Sequence, residues 1–287
     1  MKKSVFYLAF AYVLASCGTK EEPFEPLFNG ENLSGWETYI GIPDSSVTVP
    51  GTERDENGKY AQPVGLNNDL LGVFSVAEVD GEPAIHVSGQ IYGALATINE
   101  YGNYHLRLEV KWGERKWAPR ADKPRNAGVL YHGTGEFGKG LGVWKASHEC
   151  QVQENMFGDS YRMGETYCDI TASRASENER YTFDVNAPAI TFGRDLPAGP
   201  VCSKNPANEK PAGEWNTIEI LCYEGTSVHS INGKVNMVNT NSRVKTADGE
   251  LVPLTKGVIQ LQSEGAELYY RRVEIRPINK IPDEYLN

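Results

Sequence analysis

The chain contains no C-x-x-C pair, so nothing in it resembles the ligand spacing of a structural zinc site. It has no block of Lys and Arg, its formal net charge is -10 and its pI is near 5.1. Duplex nucleic acid is therefore not an expected partner, because binding it needs a concentrated positive face. Beyond residue 15 no apolar run approaches membrane-spanning length, which points to a soluble globule for the rest of the chain. Long helical periodicity is missing, and so are internal repeats and internal linkers. These absences leave one domain without long helices. What is abundant is punctuation: 29 glycines and 16 prolines, with aromatic residues spread among them.

Hydrophobicity concentrates at the N-terminus. Lys2 and Lys3 precede an apolar run from residue 5 to residue 15, too short to span a bilayer. The junction Leu14-Ala15-Ser16-Cys17 resembles a bacterial lipobox, with small residues for the peptidase and a thiol to receive diacylglycerol. The expectation is a signal peptide over 1–16, lipidation at Cys17, a tether over 17–23 and one domain over 24–287. Acyl chains on one cysteine would hold the domain at a membrane, making it an outer-membrane lipoprotein facing the periplasm or the cell surface. Lys20-Glu21-Glu22 resembles the short charged export signal that directs some lipoproteins of Gram-negative glycan degraders outward.

The other four cysteines, Cys150, Cys168, Cys202 and Cys222, allow three pairings in an exported protein. Cys150 and Cys222 lie in apolar runs and read as buried free thiols. A Cys168–Cys202 bridge across the loop-rich middle stays open as an alternative.

Short runs of alternating character recur: 104–112 (YHLRLEVKW), 127–132 (AGVLYH), 149–153 (ECQVQ), 217–222 (TIEILC), 257–262 (GVIQLQ) and 269–275 (YYRRVEI). Period-two patterning bounded by Gly, Pro, Asn and Asp is the signature of strands, and so many argue an all-β sandwich or jelly roll. Asn232-Gly233 after the run 227–231 is a hairpin turn. The stretches 114–125 and 188–211 read as long loops of the kind that wall functional sites. After the leader is removed roughly 270 residues remain, ordinary for one large sandwich.

Several motifs in sequence share one family likeness. Leu27-Phe28-Asn29-Gly30 followed by Leu33-Ser34-Gly35-Trp36 resembles the opening signature of the 3-keto-disaccharide hydrolase family. The segment 125–130 (RNAGVL) is similar to its Asn-Ser-Gly strand, with Ala127 in place of the usual serine, and 149–154 (ECQVQE) to its central strand. Gly213-Glu214-Trp215-Asn216, Asn232-Gly233-Lys234, 259–267 (IQLQSEGAE) and 272–277 (RVEIRP) follow in the family's order. The likeness covers 24–277. It implies a concanavalin-like jelly-roll β-sandwich whose concave sheet holds a sugar or glycoside substrate.

Side chains two apart on a strand share a face. Glu149, Gln151 and Gln153 form one polar row and Gln260, Gln262 and Glu264 a second, together a groove able to hydrogen-bond hydroxyls. Arg125, Asn126 and Tyr131 join them as expected substrate-binding residues. Glu149 is the first candidate for a catalytic acid or base, because a carboxylate on a rigid strand in a partly dry groove has its pKa raised toward neutrality. Glu154 and Glu264 are candidate second carboxylates. His132, at a strand end, is a candidate base that would titrate near neutral pH. His148 alternates to the other face. Trp112, Trp117 and Trp144 are candidates for stacking on sugar rings.

The family likeness implies elimination followed by hydration. A 3-keto group acidifies the C2 hydrogen, a base such as Glu149 or His132 removes it, and the enolate expels the aglycone from C1 before water adds back. The enolate oxygen calls for a cation or hydrogen-bond donor; Arg125, Lys145 and Arg162 are the basic residues nearest the motifs. No cofactor is expected; a divalent metal would serve as well, although no ligand cluster is evident. A conventional two-carboxylate glycosidase and a non-catalytic carbohydrate-binding lipoprotein are the rival functions.

Overall fold

Alternation decides the layers. Along the strand Tyr104–Lys116, Tyr104, Leu106, Leu108, Val110 and Trp112 are buried, while Arg107, Glu109 and Lys111 between them are partly exposed. An antiparallel sheet with one wet face is the physical solution to that pattern. The computed structural model describes residues 22–286, whose strands form two antiparallel sheets packed face to face. The described residues include no α-helix, only a 3-10 turn at Asp283–Tyr285. This is the all-β jelly-roll sandwich expected from the sequence.

The back sheet runs, edge to edge, through Thr182–Phe183, Thr166–Ser173, Lys234–Lys245, Thr226–Ile231, Asn216–Tyr223, Tyr104–Lys116, Ala266–Pro277, Glu82–Val87 and Phe74–Val79. The front sheet runs through Val201–Cys202, Ser160–Met163, Ala146–Gln151, Gly128–Thr134, Lys256–Ser263, Gly93–Thr97, Trp36–Ile40 and Gly65–Leu66. Between them lies one main core, to which the front sheet contributes Leu95, Val129, Tyr131, Cys150, Ile259 and Leu261. Each such side chain contributes about 1.5–3 kcal/mol on leaving water, so a one-residue slip would expose the whole set.

Asn232 and Gly233 both have positive φ, 51° and 76°, as a two-residue hairpin turn requires. The Asn232 side chain adds a second lock by accepting the Thr217 N–H at 2.9 Å from the neighbouring strand.

Two expectations need correction. The stretch 188–211 is not all loop: Ala189–Phe192 pairs with Thr166–Ser173, and Val201–Cys202 extends the front sheet beside Ser160–Met163. Cys168 and Cys202 are not bridged; all four described cysteines are free and buried. Burial pushes the thiols up, to about 11 for Cys168 and about 12 for Cys202 and Cys222, so they stay protonated and inert. The lipobox, Cys17 and the charged triplet 20–22 lie outside the described residues except for Glu22.

Candidate active site

The outer face of the front sheet carries the site. Glu149 lies opposite Leu130 on one neighbouring strand and Tyr161 on the other. The pleat that sends His148 and Cys150 into the sandwich sends Glu149 and Gln151 outward, as their parity demands. A cavity of about 190 Å³ opens over them, with Asn126, Gln153, Tyr161 and Glu264 among its walls. The exposed side chains of Leu141 and Arg180 stand at its mouth.

Glu149 is 1% exposed, and neither carboxyl oxygen has a hydrogen-bond partner among the described protein groups. Burial, with the nearby negative charge of Glu264, raises its pKa well above the ordinary carboxylate range, which favours the protonated form. Glu264 is raised too, because burial outweighs the lowering by Arg120, 3.6 Å away, and by a hydrogen bond involving Asn126. Two carboxyl groups facing one cavity thus differ in surroundings: Glu149 is buried with no partner, whereas Glu264 has a cation beside it. That division is what acid and base partners need.

Arg120 belongs to none of the strand or family motifs and comes from the loop that follows Tyr104–Lys116. Its guanidinium also donates to Gln153 Oε1 at 3.1 Å, and Gln153 Nε2 donates to Met156 Sδ, so the far wall is tied to the loop. Gly265 permits its approach: a β-carbon there would lie 3.0 Å from the Arg120 side chain. Tyr92 completes this corner, half-buried beside Arg120 and Glu264, which respectively lower and raise its phenol pKa after burial has raised it most. No local pattern around Tyr92 or Arg120 announces them, since both reach the site from loops distant in sequence.

Other expected site residues lie elsewhere. Tyr131 and His132 belong to the interior. A bulge in Gly128–Thr134 places His132 at φ 54° and breaks the alternation, so both rings turn inward. Tyr131 hydroxyl bonds to Ser227 and His229 of the back sheet at 2.8 and 2.9 Å. His132 meets Tyr104 edge to face, and burial drives its pKa down to about 4. A neutral, enclosed imidazole does not serve as a groove base. Arg125 and Glu154 bond each other at 2.7 Å, and Glu154 also accepts the Arg125 N–H, so this pair braces a loop and does not line the cavity.

Gln260 is fully buried and accepts the Lys145 N–H at 3.1 Å, holding down the loop 135–145 that covers it. Gln262 is also fully buried but stays beside Glu149, both amide atoms unpartnered. Among the basic residues, Lys145 Nζ is engaged by Gly135 O and lies over the Phe137 ring, and Arg162 is buried inside the sandwich against Cys168 and Ser160. Trp112 is in the core, while Trp117 and Trp144 donate their indole N–H to Ser88 O and Gly93 O. Trp144 does belong to an outer-face cluster with Leu130, Tyr92, Phe137 and Tyr161, which backs the cavity with apolar surface. Among the described residues no cluster of three or more His, Cys, Asp or Glu side chains is arranged to hold a metal ion.

No curated protein matches the chain. Among solved structures, a candidate glycosyl hydrolase from Parabacteroides distasonis is 18% identical over 89% of this chain and 94% of its own, with a TM-score of 0.48. A second such protein from that organism is 19% identical over 71% of this chain and 90% of its own, at TM-score 0.40. A carbohydrate-binding module of Bacillus subtilis is 7% identical over 71% and 91%, at 0.39. The model of the 3-keto-alpha-glucoside-1,2-lyase-like domain family matches residues 23–276, nearly the whole described chain, and the protein belongs to that family.

Proposed function

We propose that the protein cleaves the glycosidic bond of 3-keto-glycosides by elimination across C1–C2 followed by hydration. The coarser statement, a carbohydrate-active protein of hydrolase-like function, follows from family membership. The finer one rests on a single observation: a buried, unpartnered Glu149 and an Arg120-paired Glu264 face the same small polar cavity.

In the proposed sequence Glu264, as carboxylate, takes the C2 proton that the adjacent ketone has acidified. The electron pair moves into the C2–C3 bond, and the enolate oxygen is stabilised by the Arg120 guanidinium. Collapse of the enolate breaks the bond from C1 to the aglycone oxygen, which receives its proton from Glu149. Water then adds across the C1–C2 double bond, oxygen to C1 and proton to C2, with the two carboxyl groups exchanging roles. Substrate plus water gives free 3-keto sugar plus aglycone, and no oxidant is consumed. The ketone itself must come from an earlier sugar oxidation. Asn126, Gln151 and Gln153 would hold the ring hydroxyls.

A second reading calls for a test because two carboxyl groups also suit a conventional glycosidase. Incubating the mature domain with a 3-keto-glucoside and with its unoxidised parent separates them. Aglycone release from the keto compound alone supports the proposal; cleavage of the parent overturns it in favour of ordinary hydrolysis; cleavage of neither leaves a sugar-binding protein.

On the lipobox-like junction at Cys17 we also infer an acylated mature N-terminus and attachment to the outer membrane. Metabolic labelling with a fatty acid, abolished by Cys17→Ala, is the expected result.

A further inference from the structure

The cavity over Glu149 has a volume of about 190 Å³, small against the roughly 300–1,000 Å³ of sites that enclose a whole drug-sized ligand. It has room for about one sugar ring, so an aglycone lies at its mouth, among Leu141, Tyr161 and Arg180. Arg180 is the one cation among the residues that line the cavity. Its side chain is exposed, and among the described residues no salt bridge or hydrogen bond holds the guanidinium. Arg194 stands on the same wall, donating to the Tyr161 hydroxyl at 3.3 Å. Arg180 comes from the connection between Thr166–Ser173 and Thr182–Phe183, and Arg194 from the turn that follows Ala189–Phe192. Two segments thus bring one guanidinium each to the same rim.

Charge on the rest of the wall does not cancel them. Glu264 has its own cation in Arg120, and burial favours the protonated form of Glu149. The acidic groups near the two arginines are engaged elsewhere. Asp159, whose pKa Arg180 helps to pull down against burial, accepts the Lys204 N–H at 2.9 Å and has Lys204 Nζ at 3.6 Å. Asp195, next to Arg194 in the chain, lies 3.8 Å from Lys245 Nζ. Elsewhere Arg107, Arg125, Arg243, Arg271 and Arg272 each meet a carboxylate. A cationic rim on a chain of net charge -10 is therefore a local exception. Such a rim attracts anions from a distance, and a guanidinium fork matches two oxygens of a carboxylate or sulfate at contact.

We propose that Arg180, assisted by Arg194, determines specificity by pairing with an anionic group on the aglycone, a carboxylate or a sulfate ester, so that acidic disaccharides are favoured over neutral ones. Leu141, 53% exposed, offers apolar surface to one face of the aglycone ring. The assignment rests on the function proposed above, since it takes the keto sugar to lie inside the cavity and the aglycone at its mouth.

The test compares 3-keto-glucosides bearing a glucosyl, a glucuronosyl, a methyl-esterified glucuronosyl and a 6-sulfoglucosyl aglycone, with the wild-type mature domain, Arg180→Gln and Arg180→Lys. The expected result is a kcat/KM about tenfold higher for an acidic compound than for the glucosyl one, with the ester behaving as neutral. Whichever acid leads identifies the group as carboxylate or sulfate. The acid-to-neutral ratio should fall about fivefold in Arg180→Gln and recover in part in Arg180→Lys. It should also shrink in 1 M NaCl, where the screening length is about 3 Å. Equal use of acidic and neutral compounds, an ester used as well as its acid, or a ratio that Arg180→Gln leaves unmoved would each overturn the assignment. Titration calorimetry with the same compounds separates this from failure of the catalytic reading. If nothing is turned over but an acidic compound binds more tightly and Arg180→Gln abolishes the difference, the subsite stands and the catalytic proposal falls. Because Arg180 is exposed, the variants should fold, and an unchanged Tm verifies it.

Discussion

Glu149 fills the space that a side chain on Gly128 would need: a β-carbon on Gly128 would lie 2.1 Å from Glu149 Oε1. Gln262 closes over the same glycine, its Oε1 2.8 Å from that position. The φ of Gly128 is not positive, so the glycine is there for close approach and not for backbone freedom. Gly128→Ala should therefore displace the Glu149 carboxyl without breaking the strand. We expect kcat to drop by about 10–100-fold, since misplacement of about 1 Å at a reacting group has that effect. Steady-state kinetics together with a melting curve check it; full activity would show that the Glu149 position is not needed.

Glu149→Gln keeps the shape and removes the proton. Turnover should fall by about 10²–10⁴-fold while sugar affinity is retained. A binding isotherm that weakens in step with turnover would mean that Glu149 holds substrate and does not transfer a proton.

The same variant has a signature in stability. The folded-state pKa of Glu149 lies above its unfolded value, so the native state binds more protons in the window that opens at about 4.5. Wild-type stability associated with this group is complete below that pH and declines as pH rises through the folded value. The Tm of Glu149→Gln should thus gain on that of the wild type as pH is raised from 4.5 toward neutrality and beyond. Parallel Tm curves would contradict a buried, proton-holding Glu149.

Arg120 lowers the pKa of Glu264, which burial raises. Arg120→Gln should move the acid limb of kcat/KM to higher pH and reduce the maximum by about 10²-fold, if the guanidinium also meets the enolate. Arg120→Lys should recover part of the pH shift. A pH profile with an unmoved acid limb would detach Arg120 from Glu264.

His132 is an interior group, and its substitution should spare catalysis. Asn tolerates the left-handed backbone at this position, so His132→Asn is the suitable change. We expect kcat/KM within a few-fold of wild type. The imidazole pKa is depressed by burial to about 4, and that of His229 to about 3. The unfolded chain therefore binds more protons below about 6.5, and stability present above that pH is lost as pH falls through these values. His132→Asn should soften the decline of Tm between pH 6.5 and 4; a loss of activity at neutral pH would return His132 to the mechanism.

Much of the fold is legible in the order of residues alone. Alternation in 104–112 and 217–222 marks adjacent strands of the back sheet, and Asn232-Gly233 marks its hairpin, because pleat and turn sterics act over a few residues. The same parity sends Glu149 and Gln151 to one face and Cys150 to the other. It misleads at Tyr131 and His132, where one inserted residue turns both rings inward; a bulge is stabilised by what packs on it, here Tyr104 and the back-sheet Ser227–His229 pair.

What the sequence determined by itself is therefore local: strands, turns, the polar rows and the family motifs. Which carboxyl groups meet was decided by the tertiary structure. It brought Glu264, paired with Arg120, to the same cavity as Glu149, drew Glu154 away to Arg125 and laid the loop 135–145 over Gln260. Periodicity in a chain reports the face on which a side chain stands, and loop closure across the sheet sets its neighbours. The charge of a buried carboxyl depends on those neighbours.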